Sequence, residues 1–312
     1  MKLDGIHHIT CITGDAPANV RFYAGTLGLR MVKKSVNQDD PTIYHLFYAD
    51  EKGSAGSDIT FFEYPGAPLG RAGAGMIHLI VWRVASDEAL DFWEKRLGEA
   101  GVTTKRATGS LRFQDPEGLD LELRVVERDE DPLIADHPQI PKELALQGFD
   151  GVRAYTADPE MSRGALTEVL GFEDEGNDRF IARGDNRSGF YAYDAAPGRG
   201  LQGAGTVHHI AWASPMDEHE AWRERAESGG LGPTPVIDRF WFKSIYFREP
   251  SGVLFEIATL GPGFDVDEPL ETLGEKLTLP PNFEHLRDKL KDVLTPLPDP
   301  RSEVSARRST TR

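Results

Sequence analysis

One pattern, written four times, limits what this chain can fold into. The segments GIHHITCIT (from Gly5), MIHLIVWRV (from Met76), FDGVRAYTA (from Phe149) and VHHIAWAS (from Val207) read alike. Each is strand-like and each leads into a helix start. Asp15-Ala16-Pro17, Ser86-Asp87-Glu88, Asp158-Pro159-Glu160 and Ser214-Pro215-Met216-Asp217 supply side chains suited to cap a first turn. The last of these also has the spacing of a capping box. Each helix is expected to stop at a glycine in the left-handed region: Gly28, Gly101, Gly171 and Gly229. Aligning the openings superposes His8, His78, Gly151 and His209, which stand 20, 23, 20 and 20 residues before those glycines.

The unit endings repeat too. FQDPEGLDLELRV (from Phe113) and FREPSGVLFEIAT (from Phe247) share a Pro-x-Gly turn followed by an alternating strand. Glu122 and Glu256 fall at the same place in those strands, whereas DITFFEYPG (from Asp58) and SGFYAYDAA (from Ser188) carry no Glu there. The expected architecture is therefore α+β, with four βαβββ units in two halves. Residues 1–126 form the first pair, 127–146 a polar linker and 147–281 the second pair. Residues 282–295 read as a C-terminal helix, because Phe283, Leu286, Leu290 and Val293 recur at helical spacing. Residues 296–312, rich in Pro, Ser, Arg and Thr, read as a disordered tail.

Composition narrows the function. The formal charge of −16 disfavours nucleic acid and anionic membrane, which need clustered cations. No run of about 18 apolar residues is present, so no membrane span is expected. No export signal is recognisable at MKLDGIHHIT, and a cytoplasmic location is the expectation. A single cysteine, Cys11, excludes a disulfide framework and a cysteine-rich zinc site, and reads as a core residue. The glycine-rich stretches from Gly70 and Gly198 precede strands and lack both phosphate-loop patterns, so they read as linkers.

Chemistry is concentrated in two histidine doublets, His7-His8 and His208-His209. Neighbours on a strand point to opposite faces, so one member of each should face a cavity unless the strand bends. The alignment favours His8 and His209. Glu256 sits in an apolar strand, where a carboxylate is costly unless paired or metal-bound. Two imidazoles and a carboxylate suit a metal with open positions: Fe(II), or Mn, Ni or Zn. His8, His78 and Glu122 form a rival triad on the same register logic. Arg239 and Tyr246, near Glu256 in DRFWFKSIYFREP, could hold a substrate oxyanion and relay protons, and the matching stretch of the second unit has no such phenol. The residues alone leave both triads open. His45, His137, His219 and His285 stand singly and read as ordinary.

GIHHITCITGDAPANVRFYAGTLGLRMVKKSVNQDDP, GTVHHIAWAS and DRFWFKSIYFREPSGVLFEIAT together resemble ring-cleaving dioxygenases of the vicinal oxygen chelate superfamily, in its hydroquinone-dioxygenase-like branch. The resemblance spans roughly Leu3 to Pro262. It implies paired βαβββ modules forming half-barrel cavities. It implies Fe(II) on His8, His209 and Glu256, a choice that requires the first and fourth units to meet in space. It further implies catalytic roles for Tyr246, His208 and Arg239, and substrate contacts from Arg239, Tyr246 and Thr10. The partners implied are a small aromatic substrate and O2; a homo-oligomer is left open. Within the same fold, a glyoxalase-like isomerase or lyase and a non-catalytic binding protein are the competing expectations.

Overall fold

The structure is a computed structural model that describes residues 1–299. The first unit comprises β1 (Ile6–Thr13), α1 (Ala16–Val20), β2 (Arg30–Val36), β3 (Tyr44–Ala49) and β4 (Asp58–Glu63). The second comprises β5 (Met76–Val84), α2 (Asp87–Glu99), β6 (Thr104–Ala107), β7 (Ser110–Gln114) and β8 (Asp120–Val125). The third comprises β9 (Phe149–Thr156), α3 (Glu160–Gly164), β10 (Glu173–Gly176), β11 (Arg179–Arg183) and β12 (Ser188–Ala195). The fourth comprises β13 (Thr206–Ser214), α4 (His219–Ser228), β14 (Ile237–Asp238), β15 (Phe242–Arg248) and β16 (Leu254–Pro262). The α+β fold of four βαβββ units is the one read from the repeats.

Neither sheet is drawn from one half of the chain. The first sheet runs β14-β15-β16-β13-β1-β4-β3-β2 and joins units one and four. The second runs β10-β11-β12-β9-β5-β8-β7-β6 and joins units two and three. The halves 1–126 and 147–281 thus exchange partners. The central strands explain it: β1 is buried along its whole length and β13 at all but one position. Each needs a covered neighbour on both edges, and the antiparallel β1–β13 pair supplies it. The glycine-rich linkers interlock at this crossing. A Cβ on Gly73 would lie 2.2 Å from the Gly200 nitrogen, so only glycine lets the two backbones approach.

The helices follow their caps in part. Asp15 and Ser86 accept from the backbone N–H groups of Ala18 and Ala89, as read from the sequence. Helix α2 then buries Ala89, Leu90, Trp93 and Leu97, one stripe of a regular helix. Helices α1 and α3 are short and run directly into π-helical turns at Arg21–Thr26 and Ala165–Val169. In the fourth unit a turn at Pro215 comes first and α4 starts only at His219, so the capping box does not form. Gly28, Gly101 and Gly171 are left-handed as expected, but in the fourth unit that role falls to Gly230 (φ 77°), while Gly229 stays at φ −79°.

The C-terminal segment is less regular than its spacing suggested. A 3-10 stretch, Pro281–Leu286, leads into a single α turn, α5 (Arg287–Leu290). Pro280 and Pro281 force the tight start. Leu290 is buried, Phe283 and Leu286 pack on the core, and Val293 is exposed. Leu297 also packs against the core, which places the first residues of the expected tail on the folded body. Residues 300–312 of that tail lie outside the described residues. Cys11 is a buried core residue. No helix among the described residues is long and apolar enough to cross a membrane.

Candidate metal centre

His8 and His209 come from the adjacent strands β1 and β13, and Glu256 from β16 on the far side of β13. Their ligand-type atoms converge. His209 Nε2 lies 2.9 Å and His8 Nε2 3.2 Å from Glu256 Oε2, and the two imidazole nitrogens are 3.4 Å apart. Among the described residues this is the one cluster of three His, Cys, Asp or Glu side chains whose donor atoms meet, and all three are buried. Glu256 Oε1 accepts a hydrogen bond from Ser244 Oγ at 2.5 Å. Glu256 Oε2 is buried with no hydrogen-bond donor and faces the two histidines. An ionised carboxylate oxygen left bare in the interior costs several kcal/mol unless a positive charge meets it. The donor set and this orphaned oxygen fit a cation at their centre.

The electrostatics point the same way. Burial alone would raise the Glu256 carboxyl, but His8 and His209 outweigh it and hold it well below the carboxylate range. Burial would lower His8, and the Glu256 charge reverses that, so His8 attracts a proton in the metal-free protein. A divalent cation would replace that proton.

The doublets work because the strands bend. The β1–β13 pairing slips at His7 and again at His208, so each residue preceding a ligand-type histidine sits in a β-bulge. Both members of each doublet therefore reach one neighbourhood. His7 Nδ1 is 2.9 Å from His8 Nδ1, and His208 Nδ1 is 2.7 Å from His209 Nδ1. Burial and the neighbouring His8 push His7 down to about 3, so it is neutral. Its Nε2 lies 3.1 Å from the Thr259 carbonyl, which can only accept, so the proton sits on Nε2. His7 Nδ1 is then an acceptor, His8 donates from Nδ1, and the His8 Nε2 lone pair is left for the centre. Burial and His209 likewise push His208 down to about 4. With its Nδ1 accepting from His209, its Nε2–H remains a donor.

Tyr246 and Arg239 stand on the same face. The Tyr246 ring meets His209 edge-on at 5.8 Å, and Arg239 Nε donates to Tyr246 Oη at 3.3 Å. Burial and the Glu256 charge push the Tyr246 phenol up, so it keeps its proton. Phe240, beside Arg239, has φ 74°, an unusual conformation for a residue with a side chain. Asp39, from the loop after β2, grips the outer end of Arg239 at 3.2 and 3.1 Å.

The rival triad is not assembled. His78 and Glu122 lie on the second sheet. The alignment of His78 with His209 is also one residue off. Matching Trp82 to Trp212 by their cross-strand partners puts Leu79 where His209 stands and His78 where His208 stands. His78 stacks on Tyr155 at 3.8 Å and bonds to Asp194 at 2.8 Å. Glu122 does occupy the register of Glu256, and is held at 2.6 Å by both Arg112 and Arg124. Four contributors near the centre escaped the sequence reading: Ser244, Asp39, Asp58 and His45. His45 lies on the same sheet, and the positive charges of His8, His209 and Arg239 act on it. Strand register within each unit was the signal for Asp58, His45 and Ser244, whereas Asp39 meets Arg239 only because units one and four pair.

This fold and site define a family. Residues 5–123 and 148–257 match the model of the Glyoxalase/Bleomycin resistance protein/Dioxygenase superfamily, and the chain belongs to it. It is 42% identical to the putative ring-cleaving dioxygenase MhqO of Bacillus subtilis, over 95% of this chain and 97% of that one. It is 32% identical to the chlorohydroquinone/hydroquinone 1,2-dioxygenase of Sphingobium indicum, over 93% and 95%. The crystal structure of a putative dioxygenase from Bacillus subtilis superposes with a TM-score of 0.88 at 41% identity, covering 95% of this chain and 98% of that one. Glyoxalase I from Zea mays, at 16% identity and TM-score 0.57 over 82% and 92%, shares the fold.

Proposed function

We propose that the protein is an Fe(II)-dependent dioxygenase that opens the ring of a hydroquinone- or catechol-type aromatic, placing both atoms of O2 in the product. The observation that carries this reading is the buried His8–His209–Glu256 cluster with its bare carboxylate oxygen, flanked by Tyr246 and Arg239. The names of its relatives, all dioxygenases acting on rings, support the same class. His8, His209 and Glu256 would hold the iron; Mn, Zn or Ni would suit the same donors. Bound iron would supply the Lewis acidity that eases loss of a ring-hydroxyl proton and the one-electron chemistry that reaction with O2 requires.

The chain's own residues then have separable tasks. His7 and Ser244 orient the donor atoms of His8 and Glu256. His208, neutral and with Nδ1 engaged by His209, presents Nε2–H beside the site, where it can donate a hydrogen bond to a substrate oxygen. Tyr246, kept protonated by burial, donates to a substrate oxygen, and Arg239 steadies the charge that develops there. Thr10, two residues from His8 on the same face of β1, offers a hydroxyl contact to the substrate. Extradiol-type cleavage, beside rather than between the ring oxygens, is the expected outcome. A location in the cytoplasm is part of the same proposal.

The test is anaerobic loading with Fe(II), followed by oxygen uptake and product analysis across hydroquinones and catechols. Uptake of one O2 per ring opened supports the reading. Turnover of a substrate without O2, with Zn or Ni as well as iron, would replace it with an isomerase or lyase of the same fold.

A further inference from the structure

His45 read as an ordinary histidine in the sequence. In the fold it begins a hydrogen-bonded chain across three adjacent strands. His45 on β3 lies with Nε2 2.9 Å from Thr60 Oγ1 on β4, and Thr60 Oγ1 donates at 2.8 Å to Thr10 Oγ1 on β1. Both threonines are fully buried. Thr10 pairs across the strands with His209 itself and lies two residues from His8, on the metal face. The His45 ring is fixed from two sides, by Phe47 at 3.9 Å and Phe62 at 4.4 Å.

We propose that His45 is a positioning residue for the aromatic substrate: through Thr60 it fixes the Thr10 hydroxyl so that its proton is offered to a substrate oxygen at the metal face. The inference rests on the substrate contact assigned to Thr10 under the proposed function. The argument is a count of hydrogens. A hydroxyl carries one, and Thr60 spends its hydrogen on Thr10. The link between His45 and Thr60 must then use an Nε2–H donated by His45. Burial and the charges of His8, His209 and Arg239 keep His45 neutral, so it has one N–H and serves as a donor rather than a proton acceptor. Donation runs one way, from His45 to Thr60 to Thr10, and Thr10 keeps an unspent hydrogen. Among the described residues Thr10 Oγ1 donates to no acceptor. Polarisation along such a chain makes the terminal hydroxyl a better donor. Without His45, Thr60 could reverse, and Thr10 would lose its fixed orientation.

A double-mutant cycle on ligand binding tests this. The Fe(II)-loaded enzyme is titrated without oxygen with 4-nitrocatechol, whose visible spectrum reports binding without turnover. Thr10→Val and His45→Phe should each weaken binding about tenfold, the worth of one hydrogen bond to a ligand. The double variant should be no weaker than Thr10→Val alone, because the two act as one unit. His45→Gln, which keeps a donor, should recover most of the loss. Iron content should be unchanged throughout. Independent losses, about a hundredfold in the double variant, would overturn the proposal, as would full affinity in His45→Phe. The unaltered, metal-free protein gives a second reading: nitrogen-15 NMR should find His45 as the neutral Nε2–H form. An Nδ1–H form would reverse the chain and also overturn it. A protein that takes up iron and binds 4-nitrocatechol with the expected cycle, yet consumes no oxygen with any hydroquinone or catechol, would defeat the dioxygenase reading alone.

Discussion

The two sheets share one register and have opposite contents. Position by position, His8, Thr10, His209, Glu256 and Tyr246 of the first sheet correspond to Gly151, Arg153, Leu79, Glu122 and Arg112 of the second. The bulges are kept as well, at His78 and Asp150. Only the carboxylate persists, and there arginines neutralise it instead of imidazoles facing it. Asp58 corresponds to Phe190, whose ring fills the space that a side chain at position 151 would take. Leu79, Val81, Phe190 and Ala192 form a small dry core in place of a site. One framework thus accepts either a metal cluster or a hydrophobic plug. The choice rests on a few inward positions rather than on the backbone.

The sharpest way to break this comparison is to exchange equivalent residues. His209→Leu, which installs the residue of the second sheet, should cut iron content and activity by on the order of a hundredfold or more, while His78→Ala leaves iron bound. Glu256→Gln should behave like His209→Leu, whereas Glu122→Gln disturbs only the Arg112 and Arg124 pairs of the second sheet and should leave iron bound. Metal analysis and oxygen uptake separate the two sheets. If Glu122→Gln or His78→Ala emptied the site, the assignment would fall.

The plug can be probed next. A Cβ at Gly151 would stand 2.2 Å from the Phe190 ring, so Gly151→Ala should destabilise by about 3 kcal/mol in urea unfolding. Adding Phe190→Ala should recover part of that loss, since one change makes room for the other. Strict additivity would mean the ring is not what excludes a side chain there.

Asp58 offers a pH test. Both its oxygens are buried without partners, and burial pushes its carboxyl up to about 8. The folded protein therefore holds a proton that the unfolded chain releases near pH 4. Stability from this group is present at low pH and is lost as pH rises toward 8, by about 1.4 kcal/mol per unit. Metal-free Asp58→Asn should lack this decline between pH 6 and 8; parallel curves for the two proteins would show that Asp58 is already ionised.

The smallest expected effect is at the rim. Asp39 is 74% exposed and occupies the Arg239 guanidinium. Such a pair is worth about 0–1 kcal/mol, so a substrate oxygen can displace it. Asp39→Asn should lower KM about twofold to threefold with kcat unchanged. A rise in KM would instead make Asp39 a support that holds Arg239 in place.

The unit order, the two glutamates at one register and the doublets were all legible in the sequence, because repeats and alternation are local signals. Register across a bulge was not. Trp82 and Trp212 align His78 with His208 rather than His209, and what stays hidden is that a bulge at His7 and at His208 lets both members of each doublet reach one site. His45 and Asp58 were missed for a related reason: they reach the site through the β3–β4 and β1–β4 pairings inside unit one, whose register local alternation does not reveal. The helix ends were read well where an Asp or Ser caps directly and less well at Ser214, where tertiary packing inserted a turn.

The pairing of β1 with β13 has a consequence in time. His8 is made 201 residues ahead of its partner His209. At roughly 5–20 residues per second, the first strand waits about 10–40 s for its neighbour. During that interval β1 can pair only with β4, and its other edge stands open. The cluster closes last, through one of the longest loops in the molecule, so a chain stopped before unit four has the first histidines and nowhere to put a metal.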